Sequence, residues 1–445
     1  MPSSISVEKL WFGLSFFLLI FLYGIGVGHW KWFPFSEFEE AVGQARAVGV
    51  LPVDPHFVHP RPHNRQGTRL LKPDDMQEGL TLLSTNWKEH GWGAALKLID
   101  ANGHTVHSWR VDPAQLGRSV DHGPLTRNFA APHGLALFPN GDVVVGLRGV
   151  GELVRLDACG DVIWRLPTPA DRWDPHHSIF RAEDGTLWVS GRRPTTSDQP
   201  GLRRFDTISE DLIVHVSADG TVLQKTSVID LLWENDLQRY VAKQFEHGVD
   251  PKDLTHLNDI EPLPASMADA YPLFEAGDLA VSLRRPDLIL VFDPDTDIVK
   301  WHAASPFINQ HDPDFIGGGW IGVLNNNQDF TETGSMLGGS EVLALQPHTD
   351  SVEVRFPTAQ SDSFYTSTAG EWQHLDNGNM LLTATNAGRV VEVNPKGETV
   401  WEWINATYGD NSVTEVFDAK RYPLTSTETS SWPCSSEPSA KRPPQ

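Results

Sequence analysis

The 445-residue sequence predicts an all-β fold, a six-bladed β-propeller with an N-terminal transmembrane helix. Three observations lead to this prediction. A strand–turn–strand pattern recurs six times, the composition is rich in glycine and proline, and one long apolar run lies near the N-terminus. The 37 Gly and 32 Pro, with 16 Trp and only 5 Met, favour many short strands and turns over a bundle of helices. With 40% hydrophobic residues, the chain can bury a large core.

The charge and the cysteine content exclude several classes of protein. The chain carries 35 Lys and Arg against 58 Asp and Glu, a net charge of −23 with histidine neutral. Such a surface repels phosphate backbones, which excludes nucleic acid as a partner. The two cysteines, Cys159 and Cys434, lie too far apart in the sequence to indicate a metal-binding pair. They do not indicate a disulfide framework either.

The apolar run covers residues 10–28, nineteen residues without a charge. As a helix it is about 28 Å long at ~1.5 Å per residue, which matches the hydrocarbon core of a bilayer. Lys9 precedes it, and the aromatic residues within 30–33 follow it like an interfacial belt. We interpret 1–9 as a tail and 10–28 as a single membrane anchor, with the body of the protein in the periplasm or otherwise outside the cytoplasm. A cleaved signal segment and a buried core helix are the alternatives.

The two flanks of the central region differ from it in composition. Residues 29–75 are predicted to be a linker, because four prolines interrupt any regular element: Pro52, Pro55, Pro60 and Pro62. The irregular spacing of the three histidines in this segment indicates loop residues rather than ligands. Residues 425–445 are rich in Ser, Thr and Pro and are predicted to be a disordered tail. The propeller domain is therefore assigned to residues 76–424.

The repeat consists of an apolar residue, a polar residue, a turn residue three positions later, and then an apolar strand. The polar positions are Asp100, Asp157, Ser217, Asp293, Gln346 and Asn394, and the turn positions are Gly103, Gly160, Gly220, Thr296, Thr349 and Gly397. This pattern is typical of a hairpin. The intervals of 57, 60, 76, 53 and 48 residues leave room for four strands per unit, which predicts six propeller blades. Within the repeat region only residues 228–246 have a helical pattern, and we interpret them as an insertion between blades.

Four repeats also place a histidine at an equivalent point of a strand. His133, His177 and His311 each precede a glycine by eight residues, and His256 opens a similar strand before an insertion. Because the innermost strands of a propeller surround its axis, we expect these side chains to meet at one mouth of the central channel. Four imidazoles are compatible with a metal site. However, Arg284 ends a strand at the same rim, and a guanidinium beside a metal cation is unfavourable. Imidazoles with an arginine suit an anionic sulfuryl or phosphoryl group.

Several segments resemble the bacterial aryl sulfotransferase family, in the same order and across residues 76–405. They are LIDANGHTVHSW, DPHHSIF, LTHLNDIEPL followed by VSLRR, and NQHDPDF followed by LNNN. The resemblance implies a six-bladed, usually periplasmic enzyme that transfers a sulfuryl group from a phenolic sulfate ester to another phenol. It implies no cofactor, because the family does not use the nucleotide donor PAPS.

By motif, the resemblance implies that His311 is the nucleophile that becomes sulfo-histidine. His256, His177 and Arg284 match the remaining active-site positions, with His177 and Arg284 also contacting the substrate, and no catalytic role is carried onto His133. We expect His256 to serve as acid and base, and Asp312 or another carboxylate to orient the imidazole of His311.

Several assignments stay open at this point. Arg285 is an alternative to Arg284, and His176 is an alternative to His177. Trp173 and Trp372 are candidates for stacking on the aryl ring, although a core position is more usual for each. Better-known members of the family carry an additional β-sandwich before the propeller. Residues 29–75 are too short and too rich in proline to form one.

Two other functions compete with sulfotransfer. They are a metal-dependent hydrolase that uses the channel histidines and a non-catalytic, membrane-anchored binding platform. The sequence allows a homo-oligomer and does not specify the donor or the acceptor.

Overall fold

The computed structural model describes residues 7–30, 58–90, 92–111, 131–148, 151–167, 173–247, 250–331, 333–409 and 411–434. The chain divides into two compact units. The first unit comprises residues 1–55 and 119–127, and its described part is helix α1 (Val7–Trp30). The second unit comprises the rest of the chain and contains every strand among the described residues.

Helix α1 includes the predicted membrane anchor, residues 10–28. Within the described residues, however, no helix combines the length and the apolarity that crossing a membrane requires. The prediction of a transmembrane segment is therefore not supported, whereas the prediction of a helix at this place is correct.

The second unit is a ring of six antiparallel sheets. Two strands precede the blades, β1 (Val58–Pro60) and β2 (Gly67–Leu70). Blade 1 contains β3 (Leu80–Trp87), β4 (Gly93–Ile99), β5 (Thr105–Arg110) and, from the far end of the chain, β28 (Val416–Tyr422). Blade 2 contains β6 (Ala131–Leu137), β7 (Val143–Arg148), β8 (Glu152–Leu156) and β9 (Val162–Pro167). Blade 3 contains β10 (Asp174–Arg181), β11 (Leu187–Thr195), β12 (Ile208–Val216) and β13 (Val222–Ser227).

The remaining blades follow the same order. Blade 4 contains β14 (Leu257–Pro262), β15 (Leu279–Leu283), β16 (Leu288–Asp293) and β17 (Ile298–Ala303). Blade 5 contains β18 (His311–Phe315), β19 (Ile321–Asn325), β20 (Glu341–Gln346) and β21 (Ser351–Phe356). Blade 6 contains β22 (Trp372–His374), β23 (Met380–Ala384), β24 (Arg389–Val393) and β25 (Thr399–Ile404), with β2 as a fifth strand. A small sheet pairs β1 with β27 (Ser412–Thr414) and β26 (Thr407–Tyr408).

The blades are arranged around an axis. The innermost strands contact one another in sequence, β6 with β10, β10 with β14, β14 with β18 and β18 with β22, while β28 contacts both β6 and β23. The predicted six-bladed propeller is therefore present. Its core lies between neighbouring blades, and the fully buried side chains include Trp109, Trp401 and Phe292.

The predicted hairpin turns join the third and fourth strands of each blade. In four of them the glycine has a positive φ, between 80° and 86°. In the other two the turn residue is Thr296 or Thr349, and the following Asp297 or Asp350 has the left-handed backbone instead, with φ of 56° in both. A β-branched threonine disfavours that conformation, so the left-handed position moves by one residue.

The predicted helical insertion lies between blades 3 and 4. It contains α2 (Val228–Glu234), α3 (Arg239–Ala242) and a 3-10 turn (Lys243–His247). The side chain of Ser227 caps α2 by accepting a hydrogen bond from the backbone N–H of Asp230.

The predicted linker and tail take part in the domain. Within 29–75, strand β2 pairs with β25 and β1 pairs with β27, whereas residues 31–57 lie outside the described part. Within 425–445, helix α4 (Ser426–Ser430) begins with a capping box between Thr425 and Glu428. The prediction of disorder is thus wrong for 425–434, and residues 435–445 are outside the described part. Ser and Thr content alone did not distinguish a helix cap from a flexible tail.

A disulfide between Cys159 and Cys434 fastens this C-terminal segment to the turn between β8 and β9. Beside it, Trp432 is only 6% exposed, and its indole N–H donates to the carbonyl of Pro139 at 3.0 Å. The ring lies directly over Gly141, where a Cβ would be only 2.6 Å from it. The two cysteines are therefore structural, which the sequence spacing did not indicate.

We expect Cys434→Ser to lower the stability of the domain. The cross-link joins residues 275 positions apart and restricts the unfolded chain. Its loss should lower the free energy of unfolding by about 2–4 kcal/mol, measured by thermal or denaturant unfolding. A reducing agent should bring the wild type to the variant's midpoint and leave the variant unchanged. An unchanged midpoint in Cys434→Ser would contradict a stabilising cross-link.

Candidate active site

Bulges in the innermost strands determine where the predicted site residues point. The strand register shifts between Pro132 and Leu135, Pro175 and Ile179, Leu257 and Asp259, His311 and Pro313, and Val416 and Asp418. At or beside these shifts His177, His256 and Asp312 have positive φ values of 55°, 53° and 53°. A bulge changes the direction of the side chains that follow it. Left-handed non-glycine residues cost about 1–3 kcal/mol each and concentrate at functional sites.

The bulges bring the four in-phase histidines together. The ring of His177 lies 4.7 Å from that of His133, 5.0 Å from that of His256 and 6.2 Å from that of His311, measured between centroids. Three of these histidines, His133, His177 and His311, line a cavity of about 20 Å³ in the channel. The expected cluster at the axis is therefore present.

The imidazole of His311 has one defined tautomer. Its Nδ1 lies 2.6 Å from Oδ1 of Asn326 and 3.1 Å from the carbonyl of Asn309. The amide of Asn326 cannot be turned, because its Nδ2 donates to the carbonyls of Thr366 and Ala369 at 2.9 and 2.6 Å. Both neighbours of Nδ1 are acceptors, so the proton is on Nδ1 and the lone pair is on Nε2. Burial, together with the charge of Arg284, lowers the pKa of His311 to about 3, and the ring is neutral at pH 7.

Asn326 replaces the carboxylate that we expected to orient His311. Asp312 accepts the backbone N–H of Trp372 at 2.6 Å through Oδ2, and its own carbonyl accepts the indole N–H of Trp372 at 2.8 Å. The expectation for Asp312 is therefore wrong. The signal for Asn326 is the LNNN segment, which contributes to the family resemblance but does not by itself indicate an orienting role.

His256 and His177 form a pair of imidazoles in contact with each other. Nδ1 of His256 donates to Oδ1 of Asp253 at 2.6 Å, and Nε2 of His256 lies 3.1 Å from Nε2 of His177. Burial opposes the ionisation of Asp253, but the hydrogen bond from His256 and the charge of Arg285 hold its pKa well below the usual range. Burial and neighbouring imidazoles lower the pKa of His177 well below its ordinary value. The two Nε2 atoms thus share a proton next to a fixed carboxylate.

The structure separates the two arginine candidates. Arg285 is bound to Asp253, with Nε 2.6 Å from Oδ2. Arg284 is 9% exposed, and its Nε has no hydrogen-bond partner among the described residues. Its Nη2 makes one long contact of 3.5 Å, with Oε1 of Gln328. Arg284 therefore holds uncommitted donors at the site, whereas Arg285 supports Asp253.

The same distinction applies to the adjacent histidines. Nε2 of His176 lies 3.2 Å from Oδ1 of Asp211, whose other oxygen accepts from Thr255 and from the backbone of Leu257. His176 belongs to this buried network, and His177 faces the cluster. Trp173 and Trp372 are 2% and 3% exposed and pack in the core between blades, so neither is available to stack on a substrate ring.

The channel also contains six carboxyl groups and one lysine. They are Asp259, Glu261, Asp312, Asp314, Glu371, Asp418 and Lys420, each interacting electrostatically with others of the set. Burial raises the pKa of Asp259 and Glu261 to about 8 and that of Asp312 to about 7. At pH 7 Asp259 and Glu261 are therefore largely protonated and Asp312 is about half protonated, so the channel repels an anion less than the number of its acids suggests. No group of three or more His, Cys, Asp or Glu within the described residues is arranged to hold a metal ion.

Sequence comparison places residues 134–406 in a known family, described as Arylsulfotransferase (ASST). No curated protein matches the chain in sequence. Among solved structures, a protein of unknown function from Bacteroides caccae aligns with 76% of this chain and 100% of its own, at 13% identity and a TM-score of 0.48. The WD40 β-propeller domain of Doa1 aligns with 82% of this chain and 96% of its own, at 9% identity and a TM-score of 0.41. Virginiamycin B lyase from Staphylococcus aureus aligns with 68% and 88%, at 11% identity and a TM-score of 0.36.

The buried acids predict a particular pH dependence of stability. An unfolded aspartate releases its proton near pH 4, whereas folded Asp259 keeps it to about pH 8. The folded state binds more protons in this interval, so Asp259 contributes stability that is lost as the pH rises from 4 to 8. We expect Asp259→Asn, which cannot ionise, to reduce the loss of stability between pH 5.5 and 8.5 by on the order of 2 kcal/mol. Thermal unfolding at both pH values measures this.

The matched control is Asp269→Asn, because Asp269 is exposed. It should keep the wild-type difference between the two pH values. An equal difference in wild type and Asp259→Asn would show that Asp259 is ionised throughout.

Proposed function

The chain belongs to the arylsulfotransferase family, and from this premise we propose that it transfers a sulfuryl group from a phenolic sulfate ester to a phenol through a sulfo-histidine at His311. One observation carries the proposal. His311 is a buried, neutral imidazole whose Nδ1 proton is held by Asn326 and Asn309, so that Nε2 keeps its lone pair, and Arg284 is the charge that acts most strongly on it. A neutral imidazole beside an uncommitted guanidinium suits attack on an anionic, tetrahedral sulfur centre.

In the first half-reaction Nε2 of His311 attacks the sulfur of the donor. The S–O bond to the aryl group breaks, and the phenol oxygen leaves with the electron pair. Asn326 accepts a hydrogen bond from Nδ1–H, which supports the positive charge that develops on the ring during attack. Arg284, whose Nε is unpaired in the described structure, balances the charge on the sulfuryl oxygens.

The His177–His256 pair donates the proton in one half-reaction and accepts it in the other. Its Nε2 atoms, 3.1 Å apart, hold a proton that passes to the departing phenolate. In the second half-reaction the pair takes the proton of the incoming phenol, whose oxygen attacks the sulfo-histidine and regenerates His311. Asp253 fixes the orientation of His256 by accepting from its Nδ1 at 2.6 Å, so we assign acid and base catalysis to His256. A phenol with a pKa of about 10 is a good leaving group for this exchange.

Arg284 also weighs against the metal-dependent hydrolase. A buried guanidinium at the rim would repel a cation bound by the same imidazoles. The binding-platform alternative gives no account of the defined tautomer of His311 or of the Asp253–His256 pair.

We further propose that the propeller works outside the reducing cytoplasm. The disulfide between Cys159 and Cys434 supports this location, because such bonds persist in oxidising compartments. Cells can be lysed directly into denaturant that contains an alkylating agent. Both cysteines should then stay unmodified until a reductant is added. Two alkylated cysteines without reductant would contradict this location.

His311→Ala should abolish both donor cleavage and transfer while the protein stays folded, because no later step proceeds without the covalent intermediate. Intact-protein mass spectrometry after mixing with nitrophenyl sulfate alone should show one added sulfuryl group in the wild type, mapped to the peptide with His311.

His256→Asn should accumulate this species, since an activated donor needs little protonation but the phenol acceptor still needs a base. His374→Ala, at an exposed histidine on β22, is the control and should react as the wild type does. A label on another residue, or full activity without His311, would overturn the mechanism.

Arg284→Lys should lower turnover by about 10²-fold, the usual effect of removing one donor from charge stabilisation in a transition state. Lysine keeps the charge but loses the fork of N–H groups. Arg285→Lys should have an effect of only a few-fold, because lysine can still pair with Asp253. Steady-state rates with nitrophenyl sulfate and a phenol measure both variants. The reverse order of effects would assign the stabilisation of the sulfuryl oxygens to Arg285.

A further inference from the structure

The connection between β19 and β20 presents three large apolar side chains to solvent. Phe330 is 89% exposed, Met336 is 66% exposed and Leu337 is 41% exposed. Phe330 is the most exposed large apolar side chain among the described residues. Side chains this exposed add little to folding by burial, and a group of them beside a functional site indicates a contact with a ligand.

The connection is held in place from its interior. Asp329 is 3% exposed, and its Oδ1 accepts from the backbone N–H and the hydroxyl of Thr331 at 2.9 and 2.6 Å. Its Oδ2 accepts from the backbone N–H groups of Met336 and Leu337 at 2.6 and 3.0 Å. Asn327 donates to the carbonyls of Leu337 and Gly339, at 3.1 Å in both cases. A buried carboxylate thus fixes a backbone whose apolar side chains point outwards, which is a preorganised surface.

The backbone of Phe330 is strained. Its φ of 61° lies in the left-handed region, which costs an aromatic residue about 1–3 kcal/mol relative to a relaxed conformation. A glycine would adopt this angle without strain. Since the phenyl ring gains almost no burial in return, folding does not explain why a phenylalanine stands here.

The same connection begins at the candidate active site. Asn326 binds Nδ1 of His311 at 2.6 Å. Oε1 of Gln328 accepts from Nδ2 of Asn309 at 2.6 Å and contacts Nη2 of Arg284 at 3.5 Å. Phe330 follows Gln328 by two residues, so its Cα is within about 8 Å of that of Gln328. The segment that carries Phe330 therefore begins beside the guanidinium that would hold a sulfuryl group.

We propose that Phe330, Met336 and Leu337 form a platform for the aryl groups of donor and acceptor, and that the enzyme prefers phenols with an apolar extension beyond one ring. This inference rests on the proposed function. With one nucleophile, the incoming phenol oxygen takes the place that the leaving phenol oxygen vacated, so one surface serves both aryl groups in turn. Met336 adds a flexible, polarisable side chain at this surface, which suits rings of different shapes.

The test compares phenol with 4-phenylphenol as acceptors of sulfuryl from nitrophenyl sulfate. The wild type should use 4-phenylphenol with a higher kcat/KM than phenol. Phe330→Gly should lower kcat/KM for 4-phenylphenol roughly tenfold, the size expected for a lost apolar contact, and change that for phenol much less. The control is Ile298→Ala, which removes an apolar side chain that is 57% exposed on β17. It should leave both values unchanged.

Two further measurements on Phe330→Gly separate a binding effect from a folding effect. Phe330→Gly should not lower the thermal midpoint, because glycine relieves the strain at this position. Calorimetric titration with 4-phenylphenol alone should give a Kd about tenfold higher in Phe330→Gly than in the wild type. An unchanged Kd and an unchanged acceptor preference would overturn the platform. If His311 is then still sulfated by nitrophenyl sulfate, the proposed function stands without the platform. Absence of the sulfated peptide together with a weakened Kd would instead reject the reaction and retain an aryl-binding surface.

Discussion

The pairing of β28 with β3 is the constraint on which the site depends. Residues 416–422 pair with residues 80–85, so the last strand of the chain completes the first blade. Without this pairing the ring of blades has an open seam, and the innermost strands are not held at one axis. Each catalytic histidine lies on or beside a different inner strand, and His177, His256 and His311 are 79 and 55 residues apart in the sequence. Long-range closure is therefore what converts dispersed residues into one site.

Within the closed ring, a low dielectric determines the protonation states. Burial favours the neutral form of each isolated group, which keeps His311 and His177 uncharged and raises the pKa of the channel acids. The charged groups that persist have specific partners: Asp253 has His256 and Arg285. Arg284 differs, because its Nε has no partner among the described residues. The uncommitted donors of this cation, beside the neutral imidazole of His311, meet the electrostatic requirement of an anionic substrate.

The sequence was sufficient for the blades and for the clustering of histidines, because both depend on local periodicity. The turn positions from Gly103 to Gly397 and the phase of His133, His177 and His311 follow from hairpin geometry and blade repetition. The elements that the sequence did not reveal depend on contacts between distant segments. Strand β2 is recognisable only by its pairing with β25, and Trp432 only by the surface that it covers. Asn326 was visible in the sequence, but its orienting role requires the positions of Thr366 and Ala369.

The disulfide between Cys159 and Cys434 has a topological consequence. It closes a covalent ring that contains blades 3 to 5 and strands β22 to β25 of blade 6, and with them His177, His256, Arg284 and His311. A single backbone cut anywhere between residues 159 and 434 opens this ring into one branched molecule and releases no fragment. The catalytic candidates therefore stay on one covalent body after such a nick, together with His133, which lies on β6 before the ring.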